Sequence, residues 1–200
     1  MKGKELGEYQ FVKSIGGWVY VGRIAKETED ELWIAPSCIV RKWGTNWGLG
    51  QLAITGRQEE TVLDSLGLAK VQKRLVISEI CCKSDIWEKT IEEDWSSRNV
   101  DMSLSWESKY QIVVAERGWV YVGLRSENKG DSIYLEHAIV LRKWGTEWGL
   151  GQLCFTGPTE KSEIDYLGER IRIKKGMTVK TLSCNDEIWE EAMSKYGVHT

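Results

Sequence analysis

The sequence predicts a β-rich α+β protein built from two tandem copies of one small domain. Each copy is expected to be a strongly bent sheet or partly open SH3-like barrel, closed by a C-terminal helix. Three observations support this prediction. A shift of 101 residues aligns much of the first half of the chain with the second, both halves begin with alternating β-forming residues, and both end in an apolar stripe of helical spacing.

The repeat sets the predicted domain boundaries. Repeat domain 1 covers residues 1–95, a polar linker covers 96–108, and repeat domain 2 covers 109–200. Two such copies on a short linker are expected to form a pseudo-two-fold pair, the single-chain equivalent of a symmetric homodimer. Trp95 and Trp106 have no counterparts under the shift and are predicted to pack the linker against a domain.

Each copy is predicted to open with three strands. The first covers residues 9–15 and 110–115. The second contains Trp-Val-Tyr-Val, whose alternation places Trp18 and Tyr20 on one face of the sheet. A polar loop leads to the third strand, 32–43 and 133–144.

Two further strands and a helix complete the prediction. In repeat 2 the strands are residues 170–174 and 177–184, joined by a hairpin turn at Lys175-Gly176. The closing helix carries Trp189 on its apolar stripe, and Trp87 occupies the same place in repeat 1, so both are predicted core residues.

One twelve-residue motif occurs almost unchanged in both copies, at 41–52 and 142–153. It is Arg-Lys-Trp-Gly-Thr-x-Trp-Gly-Leu-Gly-Gln-Leu, and only Asn46 and Glu147 differ. Gly48 and Gly50 would each cost a helix about 1 kcal/mol relative to alanine. Keeping both in both copies therefore indicates a backbone geometry that favours glycine, or the close approach of a ligand or of the other copy.

Three interpretations of the motif remain open, and one of them is a protein-interaction surface. In the structural one, its tryptophans are core residues, an arginine stacks on one of them, and the glycines allow tight packing. In the functional one, convergent N–H groups and the arginine hold an anion, the tryptophans stack on a planar ring, and Gln51 contacts its edge. The predicted ligand-binding residues are Trp18, Tyr20, Arg41, Trp43, Thr45, Trp47, Gly48, Gly50, Gln51, Trp119, Tyr121, Arg142, Trp144, Thr146, Trp148, Gly149, Gly151 and Gln152.

Composition limits the alternatives. The formal net charge of −3 disfavours general nucleic-acid binding, and no apolar run is long enough to span a membrane. The odd number of cysteines, five, without a Cys-x-x-Cys pair, predicts reduced thiols in the cytoplasm. We expect no metal and no cofactor. His137 and His199 do not recur between the copies, and Asp64 and Asp165 are predicted to lie in a turn or helix cap, so no catalytic set recurs and we expect no enzyme.

Each copy resembles a family of small, uncharacterised phage and prophage proteins. The matching positions are residues 110–113, 118–123, 142–144, 150–153 and Gly157, with their partners in repeat 1. The chain departs from that family by carrying two copies and by its Trp-Gly-Thr-x-Trp-Gly insertion. The resemblance implies a phage origin and a host-cytoplasm setting, and implies no activity.

We therefore expect a non-enzymatic protein that sequesters a small nucleotide-like signalling molecule, as a phage would do to counter host defence. The site is expected once in each repeat or once between the two. The alternative is a protein–protein interaction module that masks a host or phage protein. A host protein and a second copy of this chain are the candidate macromolecular partners.

Overall fold

The computed structural model describes residues 6–98 and 108–196, and within them not the side chains of 127–129 and 169. The chain divides into two compact units, unit 1 at 1–100 and unit 2 at 101–200. Strands dominate both units and helices are few, which confirms a β-rich α+β protein.

Unit 1 is an antiparallel meander with two helices. Its first three strands follow one another as neighbours, β4 and β5 both pair with β3, and β6 returns to pair with β1, giving the order β5-β3-β2-β1-β6. Its elements are β1 (Tyr9–Ser14), β2 (Val19–Glu27), β3 (Glu31–Lys42), α1 (Leu49–Thr55), β4 (Val62–Leu66), β5 (Ala69–Gln72), β6 (Val76–Cys81) and α2 (Ser84–Ser96).

Unit 2 has the same sequence of elements, with one long bulged strand in place of β4 and β5. Its order is β10-β9-β8-β7-β11, and all four pairings are antiparallel. Its elements are β7 (Tyr110–Ala115), β8 (Val120–Lys129), β9 (Ser132–Lys143), α3 (Leu150–Thr156), β10 (Glu163–Lys174), β11 (Thr178–Ser183) and α4 (Asp186–Lys195).

The structure corrects one predicted hairpin. Lys175-Gly176 belongs to a 3₁₀ turn, Lys175–Met177, and the strand that follows it pairs with β7 and not with β10. The alternation of 170–174 identified the strand, but a two-residue gap between strands does not distinguish a hairpin from a turn that carries the chain to another edge of the sheet.

The closing helices pack through their predicted tryptophans. Trp87 and Trp189 are fully buried. Each indole Nε1 donates to a carbonyl of the short helix that begins inside the motif, Trp87 to Leu52 at 3.0 Å and Trp189 to Leu153 at 2.7 Å. This confirms both as core residues and shows that the end of the motif forms part of the core.

The end of α2 is also anchored. Trp95 packs against the core cluster that contains Trp87 and Ile91. Residues 99–107, with Trp106 and most of the predicted linker, lie outside the described residues, as does His199.

Candidate functional site

The repeated motif forms a tight loop between a long strand and a short helix. In unit 1 the loop runs from the end of β3 to the start of α1, and in unit 2 from the end of β9 to the start of α3. The Oγ1 of Thr45 donates to the carbonyl of Gly48 at 2.9 Å, and that of Thr146 to Gly149 at 2.8 Å. Both threonines therefore contribute to closing their own loops.

The glutamines of the motif bond within the same loops. Gln51 Oε1 accepts the backbone N–H of Trp47 at 3.0 Å. Gln152 Oε1 accepts those of Glu147 at 2.9 Å and Trp148 at 3.3 Å. The side-chain oxygen expected to contact a ligand edge thus satisfies backbone donors before each short helix.

The glycines of the motif have different roles. Gly44 has φ +65°, and a Cβ there would lie 2.5 Å from the carbonyl carbon of Glu60. Gly48 and Gly149 have φ +72° and +87° as N-caps of the short helices. Gly50 is different, because it is exposed and a Cβ would meet nothing within 4 Å, whereas its counterpart Gly151 is buried. Local geometry explains Gly44, Gly48 and Gly149 but not Gly50.

A hydroxyl in each unit ties the loop to the segment that follows the short helix. Thr61 Oγ1 donates to the carbonyl of Trp43 at 2.7 Å, and Ser162 Oγ to that of Trp144 at 2.5 Å. No local sequence pattern marks these two residues. Their correspondence under the shift of 101 was the available indication.

Both motif arginines form ion pairs within their own unit. Arg41 Nε lies 2.5 Å from Asp64 Oδ1, and Arg142 Nε lies 2.8 Å from Asp165 Oδ2. The structure places these aspartates in β4 and β10, so the prediction of a turn or helix cap was wrong. Strand pairing across β3 and β9 brings each aspartate beside its arginine, which local sequence did not reveal.

The second tryptophan of the motif differs between the units. Trp47 is 85% exposed. Trp148 is half-buried and stacks on Phe155, with ring centroids 6.2 Å apart. The residue equivalent to Phe155 is Ile54, which is itself 60% exposed. Unit 1 therefore exposes apolar surface at this corner. At the equivalent corner of unit 2, the stacked Trp148 and Phe155 rings leave less apolar surface exposed.

The first tryptophan is similar in both units. Trp43 is 39% exposed and Trp144 is half-buried. The aromatic pair at the start of the second strand differs more. Tyr20 is fully buried, which raises its pKa well above the usual value, and Trp18 is half-buried.

In unit 2 the same aromatic pair is open. Trp119 is 54% exposed and stacks on Tyr121 with ring centroids 6.1 Å apart and an interplanar angle of 7°. Tyr121 is half-buried, and this burial raises its pKa. Of the predicted aromatic site residues in the described chain, these two form a wall of parallel rings.

That wall lines a cleft of about 460 Å³ within unit 2. Its surface is mainly apolar, with Glu116 near the tryptophan and the cations Arg172 and Lys174 along β10. We call it the aromatic cleft, and its lining is Ala115, Glu116, Trp119, Tyr121, Leu167, Ile171, Arg172, Ile173, Lys174 and Met177. The motif loop 144–152 does not line it, so the structure separates two groups of residues that the sequence analysis placed in one site.

The described residues contain neither a metal-binding cluster nor a membrane-spanning helix. Within 6–98 and 108–196 there is no group of three or more acidic, histidine or cysteine side chains able to hold a metal ion. No helix in that part of the chain is long and apolar enough to cross a membrane.

Comparison with known proteins adds no assignment. No family model matches the chain, and neither a curated protein nor a solved structure matches it.

Proposed function

We propose that this chain is a non-enzymatic binding protein that holds a planar, anionic, nucleotide-like molecule in the aromatic cleft of unit 2. The observation that carries the proposal is the wall of parallel Trp119 and Tyr121 rings in a cleft of about 460 Å³. This volume lies in the ~300–1,000 Å³ range of small-molecule sites. Stacking on such rings is worth about 1–3 kcal/mol per base.

Two cations support an anionic ligand. Arg172 and Lys174 line the cleft and are exposed, although the chain as a whole carries a net charge of −3. Attraction for phosphate is therefore local, which favours a small anion over a long nucleic acid.

Binding without conversion fits the lining of the cleft. Glu116 is the only carboxylate among the described lining residues, and these include no histidine or cysteine. A serine or cysteine nucleophile with a histidine base is therefore not part of this lining.

The biological setting extends the same proposal. A protein that sequesters a nucleotide signal needs affinity and sufficient copies, and no turnover. We place that role in the bacterial cytoplasm during phage infection, on the resemblance of each repeat to small phage proteins. We also infer that the two units arose by duplication of one SH3-like barrel, because their motifs and their sequence of elements correspond.

Calorimetry with the purified chain tests the proposal. The ligand set is the four nucleosides, their 5′-monophosphates, cyclic dinucleotides and ADP-ribose derivatives. We expect at least one to bind with one ligand per chain, and Trp119→Ala to weaken that binding about 5–150-fold, equivalent to the loss of one stacked ring.

Trp18→Ala is the matched control, because it removes the equivalent tryptophan of unit 1. We expect it to leave the affinity unchanged. Absence of binding heat and of a thermal shift across the whole set would overturn the proposal, as would equal losses in both variants.

A second function is supported by a different observation. Trp47 and Ile54 are 85% and 60% exposed at one corner of unit 1, and exposed aromatic side chains are enriched at protein interfaces. We propose as the alternative that this corner binds a host or phage protein. In pull-downs from host lysate, the partner protein should be recovered with Trp148→Ala but not with Trp47→Ala. Equal recovery with both variants would count against this alternative function.

A further inference from the structure

The two arginine–aspartate pairs have the same residues but different surroundings. In unit 1 the side chain of Asp64 is 2% exposed and that of Arg41 is 43% exposed. In unit 2 the corresponding values are 47% for Asp165 and 57% for Arg142. The first pair includes a buried carboxylate, whereas the second is open to water on both sides.

Strand register places the open pair beside the aromatic cleft. Tyr121 of β8 lies opposite Val140 of β9, and Asp165 of β10 lies opposite Val140 on its other side. Directly opposed residues of antiparallel strands share a face, and neighbouring strands lie about 4.8 Å apart. Asp165 therefore lies on the same face as Tyr121, about 10 Å away across Val140. Neither Arg142 nor Asp165 lines the cleft, but Leu167, two residues after Asp165 on the same strand, does.

We infer that Arg142 is a phosphate-binding residue of the proposed nucleotide site, in addition to Arg172 and Lys174 of its lining, and that Asp165 occupies Arg142 until a ligand arrives. This inference rests on the proposed function. The base stacks on Trp119, and the phosphate takes the place of the Asp165 carboxylate at the guanidinium. Arginine suits this exchange, because its planar group binds carboxylate and phosphate in the same forked geometry.

Exposure makes the exchange feasible in unit 2. An ion pair with both partners in water contributes little stability. A nucleotide whose base stacks on Trp119 and whose phosphate binds Arg142 therefore displaces the carboxylate at small cost. The released Asp165 is hydrated where it stands. The aspartate repels the incoming anion and so lowers the affinity for phosphate alone. Ligands that also gain from stacking on the ring are therefore favoured.

Unit 1 does not support the same exchange. Releasing Arg41 would take a cation away from the buried Asp64 carboxylate, which is unfavourable. The equivalent aromatic surface is also closed, since Tyr20 is fully buried. One nucleotide per chain follows, although the motif occurs twice.

Calorimetry with each nucleoside and its 5′-monophosphate tests the inference. The monophosphate should bind the wild-type chain more tightly than its nucleoside. Arg142→Gln should reduce monophosphate affinity about tenfold and leave nucleoside affinity unchanged, because a charge-assisted phosphate contact is lost and the ring remains. Asp165→Asn should increase monophosphate affinity several-fold, because the competing carboxylate is removed while the side chain keeps its size.

Arg41→Gln is the control and should change neither affinity. Equal binding of nucleoside and monophosphate, or an unchanged monophosphate affinity in Arg142→Gln, overturns the role of Arg142 and leaves the stacking site in place. If neither a nucleoside nor a nucleotide binds, the proposed function fails and this inference fails with it.

Discussion

The closing helices of the two units differ in length, and the strand beneath each differs in exposure. Helix α2 has thirteen residues and α4 has ten. The last turns of α2 carry Asp94, which is 2% exposed and accepts hydrogen bonds from Ser65, Arg57 and Arg98. When Trp87 is aligned with Trp189, the counterpart of Asp94 is Tyr196, 47% exposed at the end of α4.

The strand residues follow this difference. Ser65 and Leu66 of β4 are buried, whereas their counterparts Tyr166 and Leu167 of β10 are 51% and 42% exposed. Leu167 lines the aromatic cleft. Equivalent strands thus contribute to a buried core in unit 1 and to an open cleft in unit 2. The motif is nearly the same in both units, and the residues around it make the two units different.

Removing Asp94 should have the largest effect on this difference. Asp94→Ala deletes a buried acceptor shared by Ser65, Arg57 and Arg98, and breaking a buried ion pair is strongly destabilising. Because the arginines are partly exposed, we expect a loss of roughly 3 kcal/mol in the free energy of unfolding. Urea unfolding measures the loss, and hydrogen exchange should show faster exchange in β4 and α2 than in β10 and α4.

Glu191→Ala is the control for that substitution, since Glu191 pairs with Lys195 on the exposed surface of α4. We expect no measurable change in unfolding. Similar losses in the two variants would mean that Asp94 does not hold the end of α2 against β4.

The paired arginines give the next largest contrast. Arg41→Ala removes an ion-pair partner of the buried Asp64 carboxylate, and we expect it to cost about 2 kcal/mol. Arg142→Ala breaks an exposed pair and should cost less than about 1 kcal/mol. Urea titration of the two single variants measures both values. A larger loss for Arg142→Ala would reverse the contrast on which the phosphate exchange depends.

Exchanging Ile54 and Phe155 tests why one motif tryptophan is covered. Phe155→Ile removes the stacking partner of Trp148 from a buried position and should cost about 1 kcal/mol. Ile54→Phe should reduce the exposure of Trp47 by giving it the same partner. Fluorine NMR of 5-fluorotryptophan-labelled protein, with resonances assigned through Trp47→Phe and Trp148→Phe, reports both exposures. An unchanged Trp47 resonance in Ile54→Phe means that another feature of unit 1 keeps this ring exposed.

Much of the fold followed from local patterns in the sequence. β-forming residues indicated the first strand and alternation the second. Helical spacing placed Trp87 and Trp189 in the core, because it reports which side of a helix is buried. The partners of β11 were not predictable in this way, since pairing depends on the path of the chain between strands.

The candidate site was less predictable, because it depends on residues distant in sequence. Arg142 and Asp165 meet only through the pairing of β9 with β10. Tyr20 and Tyr121 occupy equivalent places in nearly identical segments, yet only Tyr20 is fully buried. Near-identity of the copies in sequence therefore did not predict that, among the described residues, the stacked aromatic wall lies in unit 2.

Gly50 provides the smallest expected effect and distinguishes folding from binding at the motif. The residue lies in α1, is exposed, and leaves open space where a Cβ would stand. Alanine should therefore stabilise the chain by about 0.5–1 kcal/mol through its higher helix propensity. The matched change Gly44→Ala should destabilise the chain, because the added Cβ would collide with the backbone at Glu60 in a residue with φ +65°.

If Gly50→Ala is more stable and also loses a protein partner recovered by the wild type, the glycine is kept for close approach of that partner to the Trp47 corner. If stability rises and every binding is retained, the glycine has no role in recognition, and the alternative function then depends on the exposed Trp47 and Ile54 side chains alone.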